Sequence, residues 1–313
     1  MNARGNRVAP MLSLRAPAKI NLAIDVGPRR ADGYHEVTTV LQALTLHDDL
    51  RLQPAPDLRL ACDDASLGNG PENLAWLAAE RLRRAAGIAA GAEILLRKHI
   101  PARAGLGGGS SDAAAVLLGC NRIWELGWEP ARLQDVAGAL GADVPFFLNG
   151  GTALGRERGD SVTPLPPLPA WPIVVAQAGP GMETGAAYAA LDAMPHRPHS
   201  PVEPLVALCR SHPREGDRDA QLALAGLVAN SFEDAVLPQR PQASALRADL
   251  MARGALGASL CGSGSAIWGL APSWPWACRC ANALRQAGAW AVACYLNPTG
   301  VTAAARAARD AAW

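Results

Sequence analysis

The chain has 313 residues, is half apolar and only 18% charged, and sets 29 basic against 28 acidic residues for a net charge of +1. That length is enough for one large or two ordinary domains with a sizeable core, while the balanced charge leaves no global electrostatic footprint for nucleic acid. No uninterrupted apolar run reaches the roughly 18 residues of a membrane helix. The seven cysteines are scattered and never spaced CxxC, and the first twenty residues hold no signal-like apolar stretch. The expectation is a cytoplasmic protein with neither a disulfide framework nor a cysteine metal site.

In chain order, AKINLAIDV at 18–26 alternates Ile20, Leu22, Ile24 and Val26 with other residues, the period of a half-buried strand. Further strands are expected at 37–46 and 58–62. Leu74, Leu77, Ala78, Leu82 and Ala85 recur at helical spacing behind Asn73, a natural N-cap. A short strand at 93–97 precedes a glycine-rich segment, then a helix from Ser110 and another after Pro130 to about Leu140. The proline-dense stretch 158–172 reads as a rigid connection between two halves. Beyond it come a strand at 173–177, a helix at 184–191 and a polar surface excursion at 194–218, partly helical around Leu205 and Leu208. Helices near 220–229, 242–253 and 277–287 then mix with strands at 256–261, 266–270 and 290–295, and the tail beyond Pro298 reads as helical. Helices and strands mixed without a repeat period define an α+β protein in two domains, divided at 160/161.

The most informative segment is PARAGLGGGSSD, from Pro101 to Asp112, between a strand and a helix. Its glycines, Gly105, Gly107, Gly108 and Gly109, let consecutive backbone N–H groups converge on an anion. The following helix adds its unpaired N-terminal donors and its dipole. Ser110 and Ser111 bring hydroxyls that can cap the helix, touch phosphate or bind a metal ion. The Walker pattern needs Lys directly after its last Gly, and the dinucleotide fingerprint needs Gly at Ser110, so neither fits. A second glycine loop, Cys261 to Ser265, is either a tight hairpin turn or a second backbone surface for the same phosphates.

Asp143, between an apolar helix and a proline-restricted turn, either caps a helix or, beside a lysine, accepts the proton of a hydroxyl. Tyr34 and His35 follow an Asp-Gly turn, as an aromatic covering a sheet edge or as a surface for a planar base. All but two of the 29 basic residues are arginine, and the exceptions are Lys19 and Lys98. In so arginine-rich a chain a lysine either survives by chance or answers a need for a compact, strongly hydrated charge.

These segments together resemble the GHMP kinases. PAKINL at 17–22, RADGYHEV at 30–37, PARAGLGGGSSDAA at 101–114 and GADVPFF at 141–147 carry the likeness in order and spacing, followed by AGPGMETGAAY at 178–188, NSFED at 230–234 and CGSG at 261–264. The glycine loop identifies the superfamily. PAKINL with ADGYH selects the branch that acts on a cytidylyl substrate.

The resemblance implies a GHMP kinase fold, with an N-terminal half like ribosomal protein S5 domain 2 and a ferredoxin-like C-terminal α/β sandwich. It implies ATP and Mg2+ as cofactors, and phosphorylation of the 2-hydroxyl of a cytidine diphosphate derivative of methylerythritol on the non-mevalonate isoprenoid route. It places Asp143 as catalytic base and Lys19 as its orienting lysine. Asn21 falls near the methylerythritol hydroxyls, Tyr34, His35 and Tyr188 at the cytosine, and Thr184 at the diphosphate. Gly105, Leu106, Gly107, Gly108, Gly109, Ser110 and Ser111 fall around the ATP phosphates, with Asn73 and Lys98 bordering the nucleotide. No second carboxylate marks a metal ligand, which leaves ATP phosphates, a loop serine and water to hold Mg2+. The expected partners are these small molecules, without nucleic acid or membrane, for a monomer or homodimer. The competing readings are a kinase of homoserine or a mevalonate-type alcohol, which has no use for a base sandwich, and a nucleotide-binding module that transfers nothing.

Overall fold

The computed structural model describes residues 11–180, 182–194 and 201–304. In chain order the N-terminal part holds β1 (Leu12–Arg29), β2 (His35–Ala55), β3 (Arg59–Cys62), α1 (Leu74–Ala86), β4 (Gly91–Arg97), α2 (Gly108–Ile123), α3 (Pro130–Gly138), α4 (Val144–Asn149), β5 (Thr152–Arg156) and β6 (Ser161–Leu165). There follow β7 (Pro172–Gln177), α5 (Thr184–Asp192), α6 (Val202–Arg210), α7 (Arg218–Gly226), β8 (Ala229–Asn230) and α8 (Glu233–Val236). The last elements are α9 (Pro241–Ala252), β9 (Gly257–Leu260), β10 (Ile267–Leu270), α10 (Trp274–Gln286), β11 (Trp290–Tyr295) and β12 (Thr302–Ala303).

Two sheets organise these elements. The larger runs β12-β1-β2-β4-β3, with β5 and β6 continuing from β2 and β8 joining β1; the smaller is β11-β7-β10-β9. All pairs in the smaller sheet are antiparallel. Under the larger sheet α1 and α2 bury a small-residue core in which Ala75, Ala78 and Ala79 meet Ala113, Ala114 and Leu117. Asn73 caps α1 as expected, its Oδ1 accepting the Ala75 N–H at 3.0 Å, and Gly87 closes the helix in the left-handed region at φ 64°. A second core joins the halves: Ala18, Ile20 and Leu22 of β1 pack with Ile173, Val175, Trp268 and Leu270 of the smaller sheet.

β1 is the element that makes the site. It is longer than the expected strand and buried on both faces through its middle. Alternation sends Ile20 and Leu22 into the shared core and sends Lys19 and Asn21 together to the other face. Apolar patterning marks the first face; the burial of the second comes from the loops that close over it, which no local period encodes.

Four expectations change. The polar excursion at 194–218 contains α6, whose Val202, Leu205, Val206 and Cys209 are core. Burying each aliphatic side chain there contributes about 1.5–3 kcal/mol, enough to hold a helix down in a polar neighbourhood. The proline-dense connection contains β6, where Pro164 is tolerated on an edge strand. The turn after Asp143 begins a short helix, α4, with Pro145 in its first turn where a missing N–H costs nothing. The described part of the tail forms β12 rather than a helix; residues 305–313, and His196 and His199, read as structural or surface residues, lie outside the described residues.

Candidate active site

One cavity of about 1490 Å³ lies between the glycine loop, the Lys19 face of β1 and the start of α5. It exceeds the ordinary single-ligand range of roughly 300–1,000 Å³, so it has room for two bound molecules. Lys19, Asn21, Tyr34, His35, Asn73, Lys98, Gly105, Leu106, Gly107, Gly108, Gly109, Ser110, Asp143, Thr184 and Tyr188 all line it. Ser111 does not: it is fully buried, and its hydroxyl has no partner among the described residues.

The glycine loop is tied down from three directions. The Lys19 N–H donates to Leu106 O at 2.9 Å, Ala266 N–H to Ala104 O at 3.1 Å, and Met182 N–H to Arg103 O at 3.1 Å. Glycine is required for contact: a Cβ on Gly107 would stand 2.8 Å from the Phe147 ring and 3.0 Å from Lys19 Cγ. α2 then starts at Gly108 with no side-chain cap, leaving its first N–H groups facing the cavity. A backbone cradle at a helix N-terminus favours an anion with several oxygens.

Beside the cradle, Lys19 Nζ lies 3.6 Å from Asp143 Oδ2, the lysine side chain buried and the carboxylate side chain 38% exposed. The ammonium donates to Asn21 Oδ1 at 3.0 Å, Asn21 Nδ2 to Thr39 Oγ1 at 2.8 Å, and that hydroxyl to the Ala23 carbonyl at 2.8 Å. The chain fixes the lysine from behind and leaves the acid open to the cavity. Asp143 precedes α4 but makes no capping bond.

The second glycine loop closes on Lys19 and Asn21, since a Cβ on Gly262 would come 3.2 Å from Lys19 Nζ and 3.3 Å from Asn21 Oδ1. Asn230 holds this loop by donating to Leu260 O at 2.9 Å and Gly262 O at 2.8 Å. Glu233 accepts from Ser259 Oγ and Leu260 N–H, each at 2.8 Å. The NSFED segment therefore carries loop-holding residues that the sequence marks only as polar residues beside a buried Phe232. Thr184 Oγ1 lies 3.4 Å from Ser263 Oγ, joining the start of α5 to the loop.

At the far end, His35 Nδ1 donates to Gly27 O at 3.0 Å while Nε2 faces Asp192 Oδ1 at 3.1 Å. Tyr188 stacks on the His35 ring at 5.0 Å and meets Phe232 edge-on at 4.9 Å. Burial, with the Asp143 charge adding, pushes the Tyr188 phenol up to about 12, so it stays protonated. Tyr34 is 57% exposed, with the Arg158 guanidinium 5.1 Å above its ring. The result is a partly open aromatic patch about a histidine with fixed orientation. Asp192 was not legible as part of it, because a lone acid ending a helix carries no local signal.

A two-sheet α+β fold with a glycine cradle at a helix N-terminus and a lysine–aspartate pair beside it defines the GHMP class of small-molecule kinases. The family described as GHMP kinases N terminal domain matches residues 73–151. A 4-diphosphocytidyl-2-C-methyl-D-erythritol kinase of Pelotomaculum thermopropionicum is 41% identical over 262 residues, 83% of this chain and 89% of that protein. The enzyme so named from Moorella thermoacetica is 41% identical over 277 residues, 88% of this chain and 95% of that one. The chain belongs to the 4-diphosphocytidyl-2-C-methyl-D-erythritol kinase family. A crystal structure of a 4-(cytidine 5'-diphospho)-2C-methyl-D-erythritol kinase aligns with a TM-score of 0.75 and 38% identity over 91% of this chain and all of that one. A homoserine kinase from Cytophaga hutchinsonii shares the fold, with a TM-score of 0.74 at 20% identity over 97% of this chain and all of that one.

Proposed function

We propose that this chain transfers the γ-phosphoryl group of ATP to the 2-hydroxyl of 4-diphosphocytidyl-2-C-methyl-D-erythritol, on the non-mevalonate route to isoprenoid precursors. The observation that carries the reading is the Lys19–Asp143 pair, 3.6 Å apart and lining one cavity together with a phosphate-type cradle. Phosphoryl transfer asks for positioning and charge stabilisation rather than covalent chemistry. In this assignment Asp143 receives the hydroxyl proton, and Lys19 orients that acid and offsets charge on the transferred group. Gly105 to Ser110 cradle the ATP phosphates, Ser111 supports them from inside α2, and Asn73 and Lys98 border the nucleotide. Asn21 faces the methylerythritol hydroxyls and Thr184 the diphosphate of the acceptor.

Mg2+ belongs to the same proposal. Among the described residues no group of three or more His, Cys, Asp or Glu forms an ion cage, and Asp112 is already taken up by Lys98 at 2.6 Å. That donor set fits an ion carried in on the nucleotide, with the Ser110 hydroxyl as the protein's available oxygen. When bound, the ion would neutralise phosphate charge.

Tyr34, His35 and Tyr188 are assigned to the cytosine. Stacking on an aromatic contributes about 1–3 kcal/mol per base, so Tyr188→Ala is expected to raise the KM for the cytidylyl substrate about ten-fold or more and to leave the KM for ATP nearly unmoved. Steady-state kinetics with each substrate varied in turn checks this; equal changes in both constants would remove Tyr188 from the base site. A two-domain division at 160/161, a cytoplasmic setting and a monomer or homodimer complete the proposal. No helix among the described residues is long and apolar enough to cross a membrane.

The function itself is tested by ADP release from Mg-ATP with 4-diphosphocytidyl-2-C-methyl-D-erythritol, run beside homoserine and mevalonate. Turnover is expected with the cytidylyl substrate alone. ADP release with a control alcohol instead would reassign the substrate, and ATP binding without turnover on any of them would reduce the protein to a nucleotide-binding module.

A further inference from the structure

Beneath the glycine loop lies a buried cluster of three charges. The Lys98 ammonium is 2.5 Å from Asp48 Oδ2 and 2.6 Å from Asp112 Oδ2, and the three side chains are 8%, 0% and 2% exposed. The other Asp48 oxygen accepts the backbone N–H groups of His99 at 2.5 Å and Ile100 at 2.8 Å. The Lys98 N–H itself donates to Asp63 Oδ1 at 2.8 Å. Asp48 belongs to β2, Lys98 to Ile100 form the corner through which the chain leaves β4 for the loop, and Asp112 is the fifth residue of α2, just past its first turn. One ammonium thus joins the entry and the exit of the loop to a carboxylate fixed in the sheet.

The cluster reaches the cradle directly: a Cβ on Gly108 would stand 3.0 Å from Ile100 Cγ2 and 3.3 Å from Lys98 Nζ. Two acids share a single cation, and Asp112 Oδ1 has no partner. Burial first, and then the Asp48 charge, push the Asp112 carboxyl above the usual carboxylate range against the pull of Lys98. Burial pulls the lysine down, but the two acids outweigh it and hold it above its ordinary value. A buried ionic group of this kind contributes little net stability and is costly to break. Its location at both ends of one loop supplies a reason for it beyond stability.

We propose that Asp48 is a positioning residue for the nucleotide: the Asp48–Lys98–Asp112 bridge closes the glycine loop at its base and holds the backbone donors of Gly105 to Ser110 in place for the ATP phosphates. Lys98 then serves ATP through the loop, its ammonium being committed to two carboxylates. The inference rests on the assignment of the loop to ATP made above.

The test is steady-state kinetics on the full chain with ATP and the cytidylyl substrate varied separately, for Asp48→Asn, Asp112→Asn and Asp112→Ala, together with the rate at which trypsin cuts after Arg103. That arginine lies in the loop with its side chain 72% exposed. Asp48→Asn is expected to raise the KM for ATP about ten-fold or more and that of the acceptor less than about two-fold, with kcat at saturating ATP largely kept. Asp112→Asn, which keeps an acceptor oxygen for Lys98, is expected to raise the KM for ATP less than Asp112→Ala. Trypsin cleavage after Arg103 is expected to accelerate in Asp48→Asn and Asp112→Ala. Equal rises in both KM values, or a lower Tm with unchanged KM for ATP and unchanged cleavage, would make the cluster a plain structural ion group. Should Asp48→Asn fail to fold, the order of the two Asp112 variants decides. If the unaltered chain releases no ADP, the kinase assignment falls, and the cleavage rates still show whether the bridge holds the loop.

Discussion

Asp143→Asn is expected to lower kcat by about three orders of magnitude, within the range that removal of a positioned proton acceptor costs, while the Tm stays within a few degrees. The substitution keeps the shape of the side chain and removes its capacity to take up a proton. Its structural cost is small because the acid is 38% exposed and makes no capping bond to α4. Lys19→Ala is expected to lose most turnover as well, with a larger loss of stability, since the lysine is buried and its ammonium is the donor to Asn21. Single-turnover rates on variants shown to be folded by circular dichroism decide the matter. Near-unaltered kcat in a folded Asp143→Asn protein would take the acid out of the mechanism.

Gly105→Ala is expected to be the most damaging small substitution in the chain. Gly105 has φ +80°, and its Cβ would fall 1.8 Å from the Cys261 carbonyl oxygen. That carbonyl cannot retreat freely, because it accepts the Gly264 N–H at 2.8 Å while Cys261 N–H donates to Ala266 O at 2.8 Å. Left-handed backbone costs an alanine about 1–2 kcal/mol, and forcing a packed interface apart typically adds about 1–3 kcal/mol. Losses of about 3 kcal/mol in stability, with ATP binding abolished, are therefore expected from thermal melts and calorimetric titration. Gly226→Ala is the control: nothing lies within 4 Å of its Cβ, and its φ is not left-handed. Equal behaviour of the two variants would mean that the loops do not pack as described.

The sequence reveals the parts of this site that are local. The PARAGLGGGSSD segment points to a cradle because its glycines stand at a strand-to-helix turn, where backbone donors and a helix N-terminus converge, and Asn73 announces a cap. Chain order and most element positions follow from apolar periodicity, which β1, α1 and α10 display plainly. What stays hidden is what depends on distant partners. Lys19 and Asp143 stand 124 positions apart in the chain and meet because β1 and α4 both pack against α2. Asp48 reads as one acid in a strand, and nothing in its neighbourhood announces a bond to Lys98 fifty residues away. α6 hides in a polar stretch because its burial depends on the shared core. β8 and β12 are two-residue strands, too short for any period to declare itself, and they exist because the edge of β1 and its flank offer unpaired backbone groups.

The near-absence of lysine has a practical meaning once the positions are known. The chain's two lysines both line the candidate cavity, each under a tenth exposed and each in an ion pair. Lysine-directed cross-linkers, fluorescent esters and acylating metabolites therefore meet, among the side chains of this sequence, only two shielded ammonium groups in one cavity. A side chain that decorates most protein surfaces as a solubilising charge is here confined to a single cavity.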